Sequence, residues 1–79
     1  MEYQKDKVDE MTPALLWLVM WEDKDIVRAW KGFDWESMNR LHEQGFIYDP
    51  KGKARSVAIT DAGKTRAEEL FMKHFGKDK

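Results

Sequence analysis

The residues equipped for chemistry are few and scattered. His42 and His74 are the only histidines among 79 residues, and there is no cysteine. His42 with Glu36 or Glu43 imitates part of a metal-ligand set. However, His42 and Glu43 are adjacent on a helix, so their side chains do not converge, and no clustered ligand spacing surrounds them. Asp34, Glu36 and Glu43 are candidate acid–base carboxylates, but nothing in the sequence supplies a pocket or a nucleophile. Gly45, Gly52 and Gly63 are too dispersed to form a phosphate-cradling loop. These patterns predict no catalytic residue, no metal and no cofactor, and hence a protein that is not an enzyme. The missing thiols also exclude a disulfide scaffold and suit a reducing cytoplasm.

Four tryptophans are the other conspicuous residues: Trp17, Trp21, Trp30 and Trp35. An aromatic stripe at helical spacing is usually core. A helix that is apolar most of the way round must instead find a second surface. Leu16, Trp17, Met20 and Trp21 are therefore candidate self-association residues, and the core reading stands beside that one. No run approaches the ~18 apolar residues of a spanning helix. The longest, residues 14–21, follows a mixed-charge leader and precedes no small-residue cleavage site, so neither membrane nor export is expected.

The elements that must position these residues fit one small domain over residues 1–79, with frayed ends at about 1–5 and 76–79. The spacing predicts a first helix through the apolar run. Thr12 would be its N-cap and Pro13 its first helical residue, or else Asp9 its cap, and the polar residues 22–25 would end it. Residues 26–31 fit either a short helix or a strand. Asp34 caps the next helix, Phe33 and Met38 have the spacing of a hydrophobic staple, and Gly45 closes it with Phe46 folding back on Leu41. Residues 46–48 and 54–59 read as a hairpin around a turn at 49–52. Thr60 caps the last helix, in which Gly63 permits a close backbone approach.

This order resembles a winged helix-turn-helix domain: an α+β, mostly helical fold with a two-stranded wing hairpin and a C-terminal helix. The resemblance rests on Leu41, Gly45, Phe46 and Ile47, which match the end of a recognition helix. Val57, Ile59, Thr60 and Gly63 match the second wing strand and the start of the closing helix. It covers roughly residues 33–75 and implies a recognition-helix equivalent at 34–44 and a wing tip at 49–54. The whole chain also resembles a small bacterial family without an assigned function, through residues 8–12, 28–35 and 49–53.

The winged-helix resemblance implies Asn39 and Arg40 as base readers, for an adenine and a guanine. The same helix carries Asp34, Glu36 and Glu43, which repel phosphate. The 14 Lys+Arg and 15 Asp+Glu give a net charge of −1, which argues against bulk electrostatic binding of nucleic acid. Residues 1–21 sum to −2, residues 22–49 to −3 and residues 50–79 to +4. Lys51, Lys53 and Arg55, on the wing, are candidate phosphate contacts, against the alternative of a solvated tip kept soluble by its lysines. The expectation is a protein-interaction or dimerisation module, with a homodimer or another protein as partner. A DNA-binding regulator using Asn39, Arg40, Lys51, Lys53 and Arg55 is the other reading.

Overall fold

A computed structural model describes residues 1–77; Asp78 and Lys79, part of the expected C-terminal fray, lie outside the described residues. The elements are α1 (Lys5–Leu18), β1 (Met20–Asp23), β2 (Ile26–Trp30), α2 (Trp35–Glu43), β3 (Ser56–Ile59) and α3 (Asp61–Phe75). The fold is α+β, with three helices and a three-stranded antiparallel sheet in the order β1-β2-β3. About half of the described residues are helical, fewer than expected.

The first helix departs most from the sequence reading. It starts at Lys5 with Gln4 as an uncapped N-terminal residue, and Pro13 lies inside it. A proline there removes one helical hydrogen bond. Contacts with distant elements hold the turns before it. Glu10 reaches Lys73 and His74 on α3, and Asp9 reaches Arg40 on α2. Tertiary contacts therefore set the start, and no local cap does. The helix also stops earlier than expected, at Leu18. Met20 and Trp21 belong to β1, and residues 26–30 are its partner strand, with Trp21 opposite Arg28 and Met20 opposite Ala29. The polar residues 22–25 form a hairpin, turning at Lys24 with φ of 52°.

The local signals of the second half match the structure. The Asp34 carboxylate accepts from the Ser37 amide at 3.1 Å. Gly45 has φ of 81°, its amide donates to His42, and the Phe46 amide donates back to Leu41 at 3.0 Å, which is a Schellman closure. Thr60 then joins this closure to α3. Its hydroxyl lies 2.7 Å from the Gly45 carbonyl and 3.0 Å from that of Phe46, and accepts from the Gly63 amide. The Thr60 amide also donates to the Phe46 carbonyl. A Cβ on Gly63 would collide with that same carbonyl.

The expected two-stranded wing is mostly replaced. Along its whole length β3 pairs with β2, with Val27 opposite Ile59 and Trp30 opposite Ser56. Residues 46–48 add the Ile47–Ile59 bridge, flanked by the bonds from the Tyr48 amide to Ala58 and from the Thr60 amide to Phe46. The ladder cannot continue through Pro50, which has no N–H and is buried. Lys31 Nζ also donates to the carbonyls of Pro50 (2.6 Å) and Gly52 (3.1 Å), drawing this segment toward the end of β2.

The core lies on one face of the sheet. Ala29, Val57, Ile59 and Ile47 meet Leu16 of α1 and Met38 and Leu41 of α2. Helix α3 packs chiefly on α1, burying Gly63, Ala67 and Leu70.

Candidate functional site

Residues alternate between the two faces of a strand, so the register assigns every sheet residue. With Ala29, Val57 and Ile59 inward, the outward residues are Trp21 and Asp23 on β1, Ile26, Arg28 and Trp30 on β2, and Ser56 and Ala58 on β3. Tyr48 joins them, beside Ala58. Antiparallel sheets commonly expose one face, and that face is normally polar. This one carries large apolar and aromatic side chains beside Asp23, Arg28 and Ser56. Trp30 is 53% exposed, Tyr48 58% and Ile26 50%. Trp21 and Trp30 stack at a tilt with ring centroids 4.8 Å apart. Arg28 is the cross-strand partner of Trp21, and its Nε donates to the Ser56 hydroxyl at 2.9 Å.

Two shallow grooves flank the middle of this face. One, at the β2 start, is lined by Ile26, Tyr48 and Ala58 with the carboxylates of Asp25 and Asp61. The other, at the β2 end, is lined by Trp30 with Lys31, Lys53 and Arg55. One end of the face is therefore acidic and the other basic.

Only part of the first-helix set gathers in one place. Trp17, Met20 and Trp21 line a groove beside the free edge of β1, together with Val27 and Lys64. Leu16 does not join them: it is 2% exposed and belongs to the core, because its turn of α1 faces the sheet. The candidate base readers lie on α2, where Arg40 is already engaged. Arg40 donates from Nε to both Asp9 carboxylate oxygens, at 2.9 and 2.8 Å, and from Nη2 to the Ser37 hydroxyl. The Asp9 carboxylate raises the pKa of this guanidinium further, so its charge is committed to joining α2 and α1. Asn39 is half-buried beside it. Lys51, Lys53 and Arg55 are exposed.

Two further titratable residues join elements of the fold. Glu10 accepts from Lys73 at 3.0 Å and lies 3.2 Å from His74 Nε2, and these two partners hold its pKa below the ordinary value. His42 donates from Nδ1 to the Ile47 carbonyl at 3.0 Å, bracing the turn after α2. Among the described residues, no group of three or more His, Cys, Asp or Glu residues could hold a metal ion. Nor is any described helix long and apolar enough to cross a membrane.

Fold and surface together define a small α+β domain with helices against one face of a three-stranded sheet and an open aromatic face on the other. The chain belongs to the family described as "Domain of unknown function (DUF6429)", whose model matches residues 4–77. It is 48% identical over 75 residues to "Uncharacterized protein y4hR" of Sinorhizobium fredii, covering 95% of this chain and 97% of that protein. No solved structure matches it.

Ile26, Arg28, Trp30, Tyr48, Asp25 and Asp61 were absent from the sequence-derived sites. Their signal is the alternation of Ile26, Arg28 and Trp30 with Val27 and Ala29. Five residues are too short for that period to decide between strand and helix.

Proposed function

We propose that this protein is a non-enzymatic interaction module of the cytoplasm, built on a winged-helix-like scaffold, whose sheet face carries recognition. The observation behind this reading is that Ile26 and Tyr48 at one end of the sheet face and Trp30 at the other are each at least half exposed. Exposed apolar patches rimmed by charge mark interaction sites, and aromatics dominate the cores of interfaces. The winged-helix likeness is supported by the Gly45 closure, the Ile47–Ile59 bridge and the Thr60–Gly63 start of α3. It departs from that pattern in having strand β2, and no helix, before α2.

DNA binding is the second reading. It is favoured by the exposure of Lys51, Lys53 and Arg55. Arg40, held on Asp9, is unavailable to it without breaking the joint between α1 and α2.

A photo-crosslinking amino acid placed at Tyr48 in living cells tests the main reading, with the exposed Met72 of α3 as control position. A discrete adduct from position 48 and none from position 72 is the expected result. No adduct at 48, or equal adducts at both, rejects the sheet face as the interaction surface.

A further inference from the structure

We propose that the occupant of the sheet face is a second copy of this chain, packed face to face with its strands antiparallel. This inference rests on the reading of that face as an interaction surface and adds the partner.

The argument is the placement of charge. Asp25 and Asp61 flank Ile26 and Tyr48 at one end, and Lys53 and Arg55 flank Trp30 at the other. All four charged residues are exposed, and among the described residues none has an ion-pair partner. Ile26 and Trp30 are four residues apart on one strand, which is roughly 13 Å. A two-fold axis between two such faces, crossing the strands at Arg28, lays the first end of one copy over the last end of the other. Each basic groove then meets an acidic one, twice over, and Trp30 of each copy covers Ile26 and Tyr48 of its mate. An isologous interface must be self-complementary, and a face with opposite charges at its two ends satisfies that condition.

A single-stranded nucleic acid also stacks on aromatic platforms, but it needs a basic groove along its whole path. Here Asp25 and Asp61 block half of that path. The exposed parts of Trp30, Tyr48 and Ile26 offer on the order of 250 Å² per copy, given that an enclosed aromatic buries roughly 150–250 Å². A stable interface takes about 800 Å² per partner, so the charged ends must supply most of the remainder. Arg28 opposes the assembly, because its two copies meet near the axis.

The test is sedimentation equilibrium of the full chain at low and high salt, with charge reversals. The wild type is expected to dimerise, more weakly as salt rises. Lys53→Glu with Arg55→Glu should weaken the dimer roughly tenfold or more, and so should Asp25→Lys with Asp61→Lys. Mixing the two variants should restore association between unlike chains, because acid then meets base at both ends of the interface. Circular dichroism checks that each variant is folded. Trp30→Ser should abolish the dimer, and Arg28→Gln should tighten it.

A wild type that stays monomeric at high concentration overturns the proposal. If Tyr48 still crosslinks to a different protein in cells, the face is an interaction surface with another occupant. If Tyr48 crosslinks to nothing, the surface reading falls as well. A dimer indifferent to all four charges but lost with Trp17→Ser moves the interface to the edge of β1 and also overturns it. So does a monomer whose basic residues bind duplex DNA.

Discussion

The two faces of the sheet are made by the same three strands, yet they differ in how their side chains are satisfied. Inward, Ala29, Val57 and Ile59 are small or β-branched and meet Leu16, Met38 and Leu41 in a closed core. Outward, the larger side chains Trp30 and Tyr48 meet water over about half of their area, and Trp21 is partly covered by its stacking on Trp30. Hydrophobic burial alone would place the bulky aromatics inside. Their outward placement means that the core closes without them.

Truncation separates the faces most sharply. Leu41→Ala should cost about 2–5 kcal/mol, enough to unfold much of a domain this small. Trp30→Ala should cost about 1 kcal/mol, chiefly its stacking on Trp21, and leave a cooperative transition. Thermal melts of the two variants check this. Similar losses for both would mean that the outer aromatics are structural.

The two arginines give a second contrast. Arg40→Gln removes a hydrogen-bonded partner from the half-buried Asp9 and should cost about 1–3 kcal/mol. Arg28→Gln on the open face should cost about 0.5 kcal/mol or less. Chemical denaturation distinguishes the pair.

The smallest effect concerns acid. The pKa of Glu10 is lowered in the folded chain by its bonds to Lys73 and His74. Its contribution is therefore fully present above its ordinary value of 4.5 and is lost as pH falls through the lower folded value. Glu10→Gln should lower the melting temperature slightly near neutrality and reduce its fall as the pH drops below about 4.5. An unchanged acid profile would mean that the α1–α3 joint adds nothing.

The sequence was most legible where structure is set by neighbours in the chain. Asp34, Gly45, Thr60 and Gly63 act within a few residues or through a backbone geometry peculiar to glycine, and each takes the role its type suggests. Pro13 misled for the same reason: its local preference for a first turn is real, but Glu10 and Asp9 hold the preceding turns from α3 and α2. The partner of β3 was hidden because residues 46–48 are near in sequence, whereas β2 is about thirty residues away. Of the candidate site, the basic residues Lys53 and Arg55 were visible as charges. Their place opposite Asp25 and Asp61 depends on a register that no local pattern encodes.

The clasp between Thr60, the carbonyls of Gly45 and Phe46, and Gly63 makes residues 46–60 a closed ring of chain whose two ends are held together. Lengthening a closed ring is cheap, since each doubling of a flexible loop adds only about 0.6 kcal/mol. Lys31 grips the ring at Pro50 and Gly52. The stretch just beyond, at Lys53 and Ala54, is exposed and lies outside any strand. A peptide tag or a small reporter domain spliced in there should leave melting almost unchanged and place its cargo at the rim of the basic groove.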